Sequence, residues 1–184
     1  MLEGFVPFPE EFAKRYKEKG YWVGKTLGEE FDGAVAKYGD SVALACNGQY
    51  VTYRELGRRA TRLALHFIDK GLRPYDKMIM QLPNELEFAY VYFAAVKIGV
   101  IPIMALPVHR DAEIGFFAQF TKAKAHVIPS AFKDFSHQEM SREIRKKTPT
   151  MELTFVSGEK VDKDFISITA LLADKIEERT PVDS

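Results

Sequence analysis

Cysteine is almost missing from this chain: Cys46 is the only one in 184 residues. A single thiol excludes an intramolecular disulfide, a CxxC redox pair and a zinc site built on paired cysteines, and it fits a reducing compartment. An excess of charge is missing as well, since 26 Lys and Arg balance 26 Asp and Glu. Without a net field or a basic tail, nothing in the charge pattern draws in nucleic acid or an anionic membrane. Long apolar runs are also absent. The most apolar stretch, Phe88 to Leu106, is broken by Lys97, Gly99 and Pro102, so it reads as protein interior rather than a membrane span. The opening residues, MLEGFVPFPEEF, have neither the basic start nor the apolar run of a secretion signal, and a soluble, cytoplasmic protein is expected.

What is present is enough apolar residue, 46% of the chain, to bury one core. The expected division is an N-terminal arm with helices over residues 1–40 and an α/β unit over 41–184. Phe12 and Tyr16, one helical turn apart among charges, predict a short surface helix between Pro9 and Gly20. Leu27, Phe31, Ala34 and Val35 predict a second helix, Thr26 to Tyr38, packed beside a sheet. Val42, Leu44 and Cys46 alternate before Asn47-Gly48, which predicts a hairpin. Thr52-Tyr53-Arg54-Glu55 reads as a capping box that opens a helix with a stripe of Leu56, Ala60, Leu63, Ala64, Phe67 and Ile68. Arg54, Arg58, Arg59 and Arg62 read as its solvated face, and Gly71 stops it.

From Lys77 onward strands and helices alternate, which predicts a mainly parallel sheet with helices on its faces. The strands are Lys77–Leu82, Val100–Ala105, Ala125–Pro129 and Glu152–Val156; the helices are Glu85–Ile98, Asp111–Lys122 and Glu139–Lys147. Asn84 is placed to cap the first of these helices, with Glu87 at the reciprocal position. That helix is apolar on almost its whole circumference, which implies a covering body beyond its own sheet. Phe116, Phe117 and Phe120 read as core.

The signatures that carry catalysis on their own are not there: no GxGxxG after a strand, no GxxxxGK[ST], no GxSxG and no HExxH. His66, His109, His126 and His137 are scattered without metal-ligand spacing. His66 and His126 read as structural or solvated, Cys46 as an inert small residue, and Arg142 to Lys147 as a solvated helix end. The candidate site is the segment Ala105 to Glu113, just past a strand's carboxyl end, where open α/β sheets place ligands. There His109 offers a proton-exchanging imidazole and Arg110 a planar clamp for a carboxylate or phosphate. Against this stands a capping role for His109 and Asp111, with Arg110 paired to Asp111 or Glu113.

Several segments carry a resemblance: Phe8-Pro9-Glu10-Glu11-Phe12-Ala13-Lys14-Arg15-Tyr16 with Gly20-Tyr21-Trp22, then Thr52-Tyr53-Arg54-Glu55-Leu56, Gln81-Leu82-Pro83-Asn84 and Ala105-Leu106-Pro107-Val108-His109-Arg110. In this order they resemble the N-terminal region of adenylate-forming enzymes, and the first and last point to the branch that activates aryl acids such as 2,3-dihydroxybenzoate for siderophore synthesis. The resemblance implies a ligase that uses ATP and Mg to make an aryl adenylate and pyrophosphate, then hands the aryl group to the phosphopantetheine thiol of a carrier protein. It implies that the phosphate loop, aryl pocket and catalytic lysine lie beyond Ser184, so no catalytic residue is assigned here. His109 and Arg110 are then expected to shape the neighbourhood of the pocket, and the chain's main partner is expected to be the remainder of the same ligase.

Overall fold

The computed structural model describes residues 5–180; the outermost residues of the arm and of the α/β unit, 1–4 and 181–184, lie outside the described residues. In chain order the structure runs α1 (Glu10–Glu18), α2 (Leu27–Tyr38), β1 (Val42–Cys46), β2 (Gln49–Thr52), α3 (Tyr53–Asp69), β3 (Lys77–Met80), α4 (Leu86–Lys97), β4 (Ile101–Met104), α5 (Asp111–Thr121), β5 (Ala125–Pro129), α6 (His137–Lys147), β6 (Leu153–Ser157), β7 (Ile166–Ser167) and α7 (Ile168–Ala173), followed by a 3₁₀ turn at Ile176–Glu178. No described helix is long and apolar enough to cross a membrane.

The local signals explain most of these boundaries. α1 is the surface helix expected: it buries no residue, and Tyr16 packs against Phe8 and Trp22 with ring centroids 5.8 and 5.4 Å away. At α2 the Thr26 hydroxyl accepts the Glu29 amide while the Glu29 carboxylate accepts the Thr26 amide at 2.6 Å, a reciprocal cap. The Asn47-Gly48 turn joins β1 and β2 into an antiparallel ribbon, with φ of 50° and 77° at the two turn residues. Both values demand the left-handed region, where glycine carries no Cβ penalty. Gly48→Ala meets no neighbour within 4 Å, so its expected cost is the conformational one alone, about 1 kcal/mol in a urea titration.

Two caps differ from the sequence reading. Thr52 accepts the Glu55 amide at 3.2 Å, but the Glu55 carboxylate turns outward to Arg58 and Arg59 instead of closing the box. Asn84 is exposed and caps nothing; Glu85 stands at the N-cap of α4, and its carboxylate accepts the Ser157 hydroxyl at 3.0 Å. Ile68 is left exposed at the edge of the α3 stripe. The solvated arginine face is corrected as well. Arg62 is buried, with its guanidinium forked onto Glu177 and donating to the Leu172 carbonyl.

The sheet is five-stranded and parallel, in the order β4-β3-β5-β6-β7. Its residues alternate between two helical layers, as the period of two in a strand requires. Met78, Met80, Val127 and Phe155 join the core under α3, α4 and α7, whereas Ile79 faces Ile114, Ala118, Met140 and Ile144 of α5 and α6. α2 sits outside the first layer, on α3 and α4 rather than beside the sheet as expected, with Phe31 stacked on Phe93 at 3.9 Å. α2 and α3 are therefore the body that covers the all-round apolar α4, so no additional partner is needed to explain that helix. An exposed aromatic pair lies on α5. Phe116 and Phe120 stack on each other at 5.5 Å on the outer side of α5, 60% and 76% exposed, and are not core residues.

Candidate functional site

β4 and β5 flank β3 on opposite sides, so the chain's direction of winding reverses between β3 and β5. Loops that leave the carboxyl ends of strands at such a point diverge and open a crevice. A cleft of about 480 Å³ lies there, lined by Leu82 and Pro83 after β3, Met104, Leu106 and Pro107 at the end of β4, and Phe132 after β5. Sequence reasoning located this strand end, with His109 and Arg110 in its neighbourhood. Neither His109 nor Arg110 lines the cleft.

Both residues instead hold the loop that forms its wall. His109 Nδ1 accepts the Leu106 amide at 3.3 Å, and the His109 amide returns to the Leu106 carbonyl at 3.0 Å. Arg110 does not pair with Asp111 or Glu113 through its guanidinium, and neither His109 nor Asp111 caps α5. The guanidinium Nη1 donates to the carbonyls of Pro107 and His109 at 3.0 and 2.9 Å, and its Cζ lies over Phe135, 3.9 Å from the ring centroid. Glu113 instead accepts the Arg110 backbone amide at 3.0 Å. A short Leu-Pro-Val-His-Arg segment closes on itself in this way because proline withdraws a donor and the histidine and arginine supply local ones.

Two interior side chains tie this loop to the sheet. His137, at the start of α6, donates from Nε2 to the Pro107 carbonyl at 2.9 Å. Gln81, fully buried one residue past β3, donates from Nε2 to the Leu106 and His109 carbonyls at 3.1 and 2.9 Å. Those two acceptors fix which way the amide points, so Gln81 Oε1 faces His126 Nε2, 3.3 Å away. His126 Nε2 therefore carries the ring proton, and Nδ1 accepts the Ser141 hydroxyl at 3.0 Å. Ser141 in turn lies 3.1 Å from the Thr154 hydroxyl. The chain of bonds runs from the cleft wall through Gln81 beyond β3 and His126 on β5 to Ser141 on α6 and Thr154 on β6, all at most 2% exposed.

Burial in this apolar layer pushes the His126 imidazole down to about 3, and the neighbouring His137 adds to the effect. The sign follows directly. An unfolded histidine takes up a proton below about 6.5 while the folded one does not, so His126 favours the fold above that pH and costs stability below it, at about 1.4 kcal/mol per pH unit. His137, also lowered by burial, acts in the same sense. Urea titrations of the chain at pH 7 and pH 5 are expected to show a smaller loss for His126→Gln than for the unmodified chain, since one of the two histidines no longer contributes. His66 is structural, with Nε2 3.0 Å from the Asp174 carbonyl. Cys46 points at the Asn84 carbonyl, 3.8 Å away, as an inert thiol would. Arg142, in the middle of α6, pairs with Asp162 and Asp164.

Glu85 stands at these strand ends, at the N-cap of α4. Its partial burial raises it above the usual carboxylate range, against the opposing bond from Ser157. The cleft itself is aliphatic and aromatic, with Asn84 its only side-chain amide and no cationic group among its lining residues. Nor do the described residues gather three His, Cys, Asp or Glu side chains into a metal-holding group. A nucleoside triphosphate with its cation does not fit this set of residues. What the set offers is a fixed apolar wall beside a parallel sheet's carboxyl edge.

This architecture has relatives. Residues 31–182 match the model of the family described as AMP-binding enzyme. The chain is 39% identical over 176 residues to a 2,3-dihydroxybenzoate-AMP ligase of Bacillus subtilis, covering 96% of this chain and 32% of that protein. It is 40% identical over 169 residues to a Streptomyces salicylyl-CoA synthase / salicylate adenylyltransferase, covering 92% of this chain and 31% of that one. Among solved structures, apo MbtA of Mycobacterium smegmatis superposes with a TM-score of 0.83 at 33% identity, over 92% of this chain and 31% of that chain. The chain thus spans about a third of the length of the curated relatives it matches. With a family match from residue 31 to 182 and the parallel sheet to go with it, the chain belongs to the AMP-binding enzymes.

Proposed function

We propose that the chain is the N-terminal α/β part of a ligase that adenylates an aryl acid, with 2,3-dihydroxybenzoate as the acid. The observation that carries this reading is the 39% identity, over 96% of the chain, to a protein named for that acid. The 40% identical relative named for salicylate supports the wider class of hydroxylated aryl acids. On this reading the complete polypeptide uses ATP, with magnesium as its counter-ion, and loads the carrier-bound phosphopantetheine thiol that supplies a catechol siderophore pathway in the cytoplasm. The part described here contributes no acid, base or phosphate ligand to the reaction. It contributes the strand-end wall of the crevice, held by His109, Arg110, Gln81 and His137, onto which the remainder of the ligase closes.

The test is a substrate panel on the complete polypeptide. ATP–pyrophosphate exchange is expected with 2,3-dihydroxybenzoate, to a lesser extent with salicylate, and not with fatty or amino acids. Preference for salicylate would keep the aryl class and change the acid. Preference for a fatty or amino acid would remove the aryl assignment.

A further inference from the structure

A polar chain inside an apolar sheet costs desolvation at every member, and apolar residues of similar volume fill such a space at less cost. The Gln81–His126–Ser141–Thr154 chain therefore calls for a reason beyond packing. Its far end terminates among hydroxyls that are free to rotate. Its near end terminates on the two carbonyls that bracket the Leu106–His109 segment of the cleft wall. His137 and Arg110 hold the Pro107 carbonyl between them, and Arg110 also meets that of His109 from within the loop.

We propose that Gln81 and His126 are positioning residues for the cleft: His126 locks the Gln81 amide, and the amide sets the height and register of the Leu106–His109 wall. A Gln81 amide turned over would present its oxygen to both loop carbonyls and its NH₂ to the ring N–H of His126, so every bond would be lost together. The donor at His126 Nε2 opposes that rotation from the sheet side, as the two loop carbonyls do from the loop side. The wall bears Leu106 and Pro107 toward the cleft, so a rotated amide alters the surface met by whatever enters. For its effect on catalysis the proposal rests on the aryl-acid reading; for the geometry of the loop it does not.

Two substitutions separate the donor from bulk packing. Glutamine reaches the position of the imidazole Nε2 and can still donate to Gln81, whereas asparagine ends near Nδ1 and reaches only Ser141. In the complete polypeptide, hydrogen exchange of the 105–110 amides is expected to quicken about tenfold in His126→Asn and Gln81→Met, and to stay within about twofold of the unmodified protein in His126→Gln, with the remaining strands unchanged. The KM for the aryl acid should rise by about tenfold in the first two variants at constant kcat, because an oriented wall contributes binding rather than chemistry, and His126→Gln should restore most of it. Should Gln81→Met fail to fold, the His126 pair decides. Equal exchange in His126→Asn and His126→Gln, or faster exchange spread through the whole sheet in His126→Asn, overturns the proposal. If the unmodified polypeptide shows no exchange of pyrophosphate with any aryl acid, the ligase reading fails, and the amide-exchange comparison still decides the positioning role.

Discussion

Replacing Arg62 with methionine is expected to destabilise the chain by about 3 kcal/mol, the cost of leaving one member of a shielded ion pair behind. Arg62 sits on α3, and its guanidinium meets both oxygens of Glu177 from Nε at 2.9 Å and the Leu172 carbonyl from Nη1. The side chains are 6% and 20% exposed, so water replaces little of what is removed. The pair fastens the α7 end of the chain to the middle of α3. Removing both charges should cost far less than removing one: Arg62→Met with Glu177→Leu is expected to recover most of the loss. The pH dependence has a definite sign. Arg62 first of all holds Glu177 below the usual carboxylate range, so the bond stabilises above the unfolded pKa of about 4.3 and is lost as pH falls through the lower folded value. Urea titrations should therefore show the gap between the unmodified chain and Arg62→Met at pH 7 and its narrowing toward pH 3. A cost below about 1 kcal/mol at pH 7 would mean that the pair behaves as an ordinary surface bridge.

Gly158→Ala is expected to cost a similar amount for a different reason. Gly158 follows β6 with φ of +116°, and a Cβ there would lie 2.0 Å from the Ser130 hydroxyl and 2.9 Å from the Ser130 Cβ. The backbone conformation alone costs about 1–2 kcal/mol for an L residue, and forcing apart two closely packed segments adds about 1–3 kcal/mol. The two parts separate in a cycle. In a Ser130→Gly background the steric part disappears and only the conformational part of about 1–2 kcal/mol should remain. An unchanged cost in that background would show that Ser130 is not the obstacle. Because Ser130 also donates its amide to Ser157 at 2.6 Å, the contact fixes the spacing of the β5 and β6 ends at the sheet's carboxyl edge.

Most of the fold was legible because its signals are local. The Asn47-Gly48 turn, the Thr52 cap, the glycine stop at Gly71, and the strand–helix alternation from Lys77 to Val156 all appear where periodicity and turn chemistry put them. The weak elements were not legible. β7 has two residues and α7 six, too short to set up a period, and both depend on β6 and α3 for their place. At Asn84 the residue with the stronger capping propensity lost to Glu85, which gains Ser157 as a partner 72 residues away.

The site was legible as a place and not as a set of contacts. The strand-end rule led to the Ala105–Arg110 loop, but Arg110 was read with its sequence neighbours as an ion-pairing group, and it bonds carbonyls instead. Arg62 and His126 looked like solvated or incidental polar residues because their partners lie 115 and 45 residues away. A usable signal did exist for His126: a lone imidazole in the strand Ala125–Pro129, every residue of which is buried, requires hydrogen-bonding partners. The sequence could announce that requirement without saying that Gln81 and Ser141 would meet it. Phe116 and Phe120 show the converse, since helical spacing identifies a shared face and not which side of the helix turns inward.

The central claim, that this chain is a scaffold whose chemistry resides in the remainder of a larger aryl-acid ligase, meets its most direct test in one assay. Purified 184-residue chain and the complete polypeptide are compared for 2,3-dihydroxybenzoate-dependent exchange of pyrophosphate into ATP. The account predicts exchange by the complete polypeptide and none above background by the 184-residue chain; robust exchange by the 184-residue chain would contradict it.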